Sequence, residues 1–193
     1  MNMIFERISP SDIPLDKREV WARLGGIGAV SEEDIAAAFS ELSSVATPAI
    51  SSVDMRILVN NGECVSAEGL MVSGRDFAKI VSDCRTLGVL MVTLGAGVDR
   101  LILKKSAISL SEAFIYDAIA SAMAESLADL AEATLVASRE HTGRFSPGYG
   151  DMPLDIQSDI IRLLDGGRRM GVTLSESGLM SPKKSVTALI GIR

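Results

Sequence analysis

The run Val89-Leu90-Met91-Val92-Thr93-Leu94, closed off by Gly88 and Gly95, constrains the fold of this chain more than any other segment. It shows no polar alternation, so both of its faces must be covered. It therefore predicts a buried strand, with other elements packed above and below the sheet that contains it. The wider stretch from Leu87 to Val98 is the longest apolar segment in the sequence. It carries three glycines and falls short of the ~20 residues that cross a bilayer.

A long helix is the second constraint. Ser109 and Glu112 have capping-box spacing. Phe114, Ala118, Ala122, Leu127, Leu130 and Leu135 follow on one face, predicting a helix to about Arg139 that Gly143 closes. Its many alanines allow neighbours to approach closely. Earlier helices are predicted around Glu19–Leu24, stopped by Gly25-Gly26, and after the N-cap Ser31. The second of these carries Glu32, Glu33 and Asp34 in its first turn, which suits the helix dipole, and ends before Pro48.

Ile50 to Val59 reads as a strand. Asn60-Asn61-Gly62 is a turn, and Glu63 to Val72 is a return strand interrupted by Gly69. Ser73 caps a predicted helix reaching about Arg85, with Phe77, Ile80, Val81 and Cys84 on its apolar face. A short helix begins near Val98, and Asp155 to Leu164 is helical again. Gly171–Leu174 and Ser185–Ile192 read as two strands joined by a turn near Pro182. Hairpins set among helices predict an α+β chain, one domain over 1–193. Its sheet is expected to be mixed or antiparallel with flanking helices, and not doubly wound and parallel.

Composition narrows the function. The net charge is −6, and no long Lys/Arg run is present, which argues against nucleic acid and anionic membranes as partners. His141 is the single histidine, and Cys64 and Cys84 are the two cysteines. The usual four-ligand zinc site, a Cys-x-x-Cys pair and a two-His metal motif are thereby excluded. Glu6 and Arg7 stand where a signal peptide would need an apolar core, so a cytoplasmic chain with reduced thiols is expected.

Several features invite a site and have a plainer alternative. Gly95-Ala96-Gly97 follows a strand, but Arg100 stands where a dinucleotide fingerprint needs its third glycine. A tight strand-to-helix turn accounts for it. His141, at the end of the long helix, suits the dipole as a structural or exposed residue. Cys84 reads as a small hydrophobe on a helix face, and Cys64 lies in a strand. Lys104-Lys105 and Lys183-Lys184 read as solvated surface.

The loop Arg144-Phe145-Ser146-Pro147-Gly148-Tyr149-Gly150-Asp151-Met152-Pro153 is more specific. Glycines open the backbone to a ligand, and prolines stiffen it. Arg144 suits a carboxylate or phosphate, and Tyr149 offers a ring and a hydroxyl. A small-ligand clamp and a structural loop in which Arg144 caps the preceding helix are both consistent with these residues.

Arg-x-x-x-Gly-Tyr followed by Pro153 resembles the signature of the activation (reactivation) domain of cobalamin-dependent methionine synthase, which binds S-adenosylmethionine. Gly171-Val172-Thr173-Leu174-Ser175-Glu176-Ser177, then Met180, Pro182 and Ser185-Val186-Thr187, are similar to the family's closing strand, turn and strand. Ala122 to Asp129 is similar to its long Ala/Glu-rich helix. The match covers 112–192, while 1–110 fits only small stand-alone relatives. The resemblance implies that Arg144 contacts the ligand and that Gly148 and Tyr149 line the adenosyl pocket with their backbone. It further implies that the backbone at Ser146 faces adenine and that Glu125 lies near the ligand. Glu176 is a further acid in a matching motif, or else satisfies backbone groups at its turn. Two departures stand out. The family's two adjacent tyrosines have no counterpart, since the tyrosines here are Tyr116 and Tyr149, and Asp151-Met152 replaces its usual Ala-Cys.

The resemblance implies a reactivation subunit of methionine biosynthesis. It would present S-adenosylmethionine for reductive methylation of the cobalamin of a separate methionine synthase or other corrinoid methyltransferase, with a flavodoxin-type reductant. Cobalamin would come only through the partner, because the chain has no Asp-x-His-x-x-Gly run. Two alternatives stay open. One is a non-catalytic docking protein for a corrinoid methyltransferase that has lost ligand binding. The other is a methyltransferase using His141 or Glu125 as base.

Overall fold

The computed structural model describes residues 2–26 and 30–193. Its main sheet is built around two strands, β2 (Ala49–Asn60) and β5 (Thr86–Thr93). β1 (Asn2–Arg7) and β3 (Cys64–Ala67) pair with successive parts of β2, β4 (Leu70–Ser73) extends β3, and β8 (Ser185–Ile192) lies along β5. Every pairing is antiparallel. A separate two-stranded hairpin joins β6 (Thr173–Leu174) to β7 (Met180–Ser181).

β5 explains why the sheet needs two coats. Leu90 and Val92 enter one core, and Val89 and Met91 the other. On the first face lie α1 (Lys17–Arg23), α2 (Glu32–Val45), α4 (Ala96–Ser106) and α5 (Leu110–Val136). On the second lie α3 (Arg75–Ile80), α6 (Ile156–Leu163) and α7 (Gly166–Met170), together with inward residues of β3 and β4. α5 is about 40 Å long and buried over much of its circumference. Its buried alanines, among them Ala120, Ala124, Ala128 and Ala131, let it lie close to the sheet while α2 and α4 cover it from outside.

The capping predictions at Ser31 and Ser109 hold: their side chains accept from Asp34 N–H and Glu112 N–H. Glu112 does not reach back to its own cap. It binds Lys105 at 2.8 Å, and the same ammonium binds Glu41 at 2.8 Å and sits 4.4 Å from the centre of the Tyr116 ring. Lys105 is therefore largely covered, contrary to the solvated reading. Lys184 is covered too, held by Asp117 at 2.8 Å and Ser121 at 2.9 Å.

Other expectations are corrected. The return strand of 63–72 is two strands, because Gly69 takes φ +97° and forms the turn of a second hairpin. α3 stops at Ile80 and is not capped by Ser73, which is the last residue of β4. Cys84 lies beyond that helix, against Gly191, and burial pushes its thiol pKa up. α5 ends at Val136, where Ala137 and Ser138 take φ +47° and +67°. Arg139, not His141, meets the helix's last carbonyls, donating to Leu135 O at 2.7 Å and Val136 O at 3.0 Å. β6 pairs with β7, so the segments 171–174 and 185–192 are not partners.

Gly95 and Gly97 serve packing. A Cβ on Gly95 would lie 2.1 Å from Thr47 Oγ1, and one on Gly97 would lie 2.1 Å from the Val45 carbonyl oxygen. The turn that resembles a dinucleotide loop is thus the point where α4 crosses the end of α2. Among the described residues, no helix is long and apolar enough to cross a membrane.

Candidate functional site

A cleft of about 1030 Å³ opens beside the start of β8, at the upper limit of small-molecule sites. Three segments and Asp99 of α4 wall it. Glu125 and Glu132 come from α5, residues between Gly143 and Gln157 from the following loop and α6, and residues between Ser175 and Thr187 from the β6–β7 hairpin and β8.

The loop is placed by the sheet. Phe145 exchanges backbone hydrogen bonds with Leu189, 2.8 Å from its N–H and 2.9 Å to its carbonyl. Thr142 N–H donates to Gly191 O at 2.8 Å, so the chain runs along the outer edge of β8 before turning outward. Two reverse turns follow, closed by Tyr149 N–H to Ser146 O at 3.1 Å and Met152 N–H to Tyr149 O at 3.0 Å. Gly148 takes φ +85° at the third position of the first turn, a conformation that favours glycine. An aromatic series roots the loop: Phe77 and Phe145 have ring centres 5.5 Å apart, and Tyr149 meets Phe145 edge-on at 6.3 Å.

Asp151 roots it a second time. Its carboxylate accepts from Arg75 N–H at 2.8 Å and Asp76 N–H at 3.2 Å, at the start of α3. Those backbone bonds, the one from Arg75 foremost, hold its pKa below the ordinary carboxylate value. Met152 beside it is 2 % exposed and belongs to the second core. The pair that departs from the methionine synthase signature thus has a packing role here.

Arg144 is the electrostatic centre of the cleft. Its guanidinium lies 2.7 Å from Asp129, 3.2 Å from Glu132 and 3.3 Å from Glu125. These acids recur at i, i+4 and i+7 along α5, which stacks them on one face. His141 Nε2 lies 3.3 Å from Glu132, and its Nδ1 lies 2.9 Å from Arg139 O. Arg144 therefore binds side chains of α5 and does not cap that helix. One guanidinium among three carboxylates leaves the α5 wall acidic, which suits a cationic group on a ligand.

Of the residues singled out from the sequence, Glu125, Arg144, Ser146 and Tyr149 line this cleft together. Gly148 lies behind the lining, shaping the turn, and Glu176 is exposed at the tip of the β6–β7 hairpin. The sequence reading missed Glu132 and Gln157. Glu132 was legible as the next helical acid after Glu125 and Asp129. Gln157 is 5 % exposed, and its Oε1 has no hydrogen-bond partner among the described residues. No local pattern marks it, because it becomes a wall residue only when α6 packs under the loop.

No family model matches the chain, and no curated protein matches it. Among solved structures it is similar to one described as the crystal structure of the MetH reactivation domain bound to AdoHcy. The TM-score is 0.75 at 15% sequence identity, and the alignment covers 99% of this chain and 78% of that one. At that identity the likeness is one of architecture. This chain, with its curled antiparallel sheet and flanking helices, has the fold of the MetH reactivation domain.

Proposed function

We propose that this protein binds S-adenosylmethionine, and its product S-adenosylhomocysteine, in the cleft beside β8, as a reactivation subunit in the cytoplasm. In this reading it presents the sulfonium methyl group for reductive methylation of cobalamin carried by a separate methionine synthase or other corrinoid methyltransferase, with the electron supplied by a flavodoxin-type reductant and S-adenosylhomocysteine as the leaving group. The observation that carries the proposal is the joint placement of Arg144, Glu125, Ser146 and Tyr149 around one cleft, in a chain with the fold of a domain solved with AdoHcy.

The donor set fits the ligand. S-adenosylmethionine carries a sulfonium, an ammonium and a carboxylate. Glu125 and Glu132 offer negative charge to the two cations, and Arg144 offers its planar donors to the carboxylate. Tyr149 is 62 % exposed, so its ring is open for stacking against an adenine. The cobalamin supplies the methyl-accepting chemistry, while this chain binds, orients and shields the donor. No nucleophile or general base of its own is required.

Isothermal titration with S-adenosylmethionine and S-adenosylhomocysteine, on the wild type and on Arg144→Ala, tests the reading. Binding that weakens by about tenfold or more in a still-folded variant is expected, since a hydrogen bond to a charged group contributes about 1.5–3 kcal/mol. Absence of binding at millimolar ligand, or equal affinity in the variant, removes it.

A further inference from the structure

A second cavity, of about 730 Å³, lies on the other side of the Ser181–Lys183 segment from the cleft. Pro182 is part of its wall, whereas Ser181 and Lys183 face the cleft. Four arginines line it: Arg7 from β1, Arg100 from α4, and Arg168 and Arg169 from α7. No aspartate or glutamate is among the lining residues. In a chain of net charge −6 this concentration of guanidinium groups is unexpected.

Structural pairing accounts for only part of it. Asp165 binds Arg168 and Arg169, and holds the first at 2.5 Å. Arg7 donates to the Arg169 carbonyl at 2.9 Å, and Arg7 and Arg169 both lie against the Phe5 ring, at 5.6 and 5.5 Å. Those contacts orient three of the guanidiniums but supply a single carboxylate for them. Arg100 is exposed and has no ion-pair partner among the described residues. Beside this charge, Ile8, Val45, Ala46, Pro48 and Met170 give the cavity an apolar side.

We infer that this cavity binds a small phosphorylated molecule, with a phosphate or diphosphate held by Arg7, Arg100, Arg168 and Arg169 and a compact apolar or ring portion against the Ile8–Val45–Met170 side. A single carboxylate is matched by one guanidinium fork, whereas four forks suit a ligand carrying several anionic oxygens. A volume of about 730 Å³ falls within the range of small-molecule sites. The site is separate from the S-adenosylmethionine cleft, and nothing in its argument depends on that cleft being occupied.

Inorganic pyrophosphate is the first probe, titrated calorimetrically into the wild type and into Arg100→Gln/Arg168→Gln, with sodium chloride at matched ionic strength as control. Both substituted residues are exposed, so the fold is expected to persist, as thermal melting would verify. Saturable binding to the wild type, weakened at least about tenfold in the double variant, is the expected result. Binding of S-adenosylhomocysteine to the double variant should be unchanged. Absence of pyrophosphate binding at millimolar concentration, or equal affinity in wild type and variant, overturns the inference whatever the cleft binds.

Discussion

Asp151 and Arg75, far apart in sequence, meet where the side chain of the first accepts the backbone N–H of the second at 2.8 Å. α3 thereby takes its N-terminal cap from the cleft loop and not from its own flanking residues, since Gly74 supplies no side chain. Replacing Asp151 should loosen helix and loop together. Asp151→Ala is expected to lower the melting temperature by a few degrees without abolishing folding. The pH dependence has a definite sign. The folded-state pKa of Asp151 is lowered, so its contribution is full above the ordinary carboxylate pKa and is lost as pH falls through the lower folded value. Melting curves across the acid range should show a steeper decline for wild type than for Asp151→Ala. Parallel curves would show that the cap does not contribute.

Lys105 joins Glu41, Glu112 and Tyr116 at the junction of α2, α4 and α5. Lys105→Met should destabilise the protein by about 1–2 kcal/mol, as two partly covered carboxylates lose their partner. At high pH the direction is also set. Tyr116 is pushed up by burial and by its bond to Glu41, and Lys105 is raised by its bonds to Glu112 and Glu41. Groups with raised folded pKa contribute fully below their ordinary values and lose that contribution as pH rises through the folded ones. Stability should therefore fall above about pH 10, and less so in Lys105→Met. Denaturant titrations at several pH values would check both.

Gly97 and Gly166 make a matched pair. An added Cβ at Gly97 meets the Val45 carbonyl oxygen at 2.1 Å, and one at Gly166 meets the Met91 Cε at 2.3 Å. Backbone cannot move aside, but the end of a methionine can. Gly97→Ala should cost about 1–3 kcal/mol or more, as overpacking does, and Gly166→Ala clearly less. Urea midpoints give the comparison, and equal losses would contradict the packing argument.

Arg144 screens three carboxylates that α5 stacks on one face. Its removal should leave Glu125, Asp129 and Glu132 repelling one another. Arg144→Ala is expected to lose about 1–2 kcal/mol at low salt. Part of this should return as salt is raised, because screening weakens like-charge repulsion. A melting temperature that does not respond to salt more in the variant than in the wild type would contradict this account.

How far the sequence could be read follows from where each signal resides. The β5 run, the Ser31 and Ser109 caps and the Gly-Gly stop after α1 are local patterns, and they sit where expected. No local pattern marks β1, because a short strand beside β2 owes its state to its neighbour. Periodicity alone makes α3 too long, since its apolar spacing continues past the point where the chain turns toward β5. The same holds for the cleft. Arg144 and Tyr149 stood out by type and spacing, while Glu132 and Gln157 depend on how α5 and α6 are brought to the loop. A single resemblance in the second half of the chain carried more about architecture than periodicity did.

The strip from Glu140 to Phe145 bonds along the free edge of β8 at three backbone positions, through Arg193, Gly191 and Leu189. It closes a sheet edge that would otherwise be open to another strand, and the cleft loop hangs from it. The amides of Thr142 and Phe145, though they lie in a connecting segment, should exchange with solvent as slowly as those of the sheet they adjoin. The root of the cleft thereby belongs to the same cooperative unit as the core, and the turns from Ser146 to Gly150 are tethered at both ends, by β8 on one side and by Asp151 on α3 at the other.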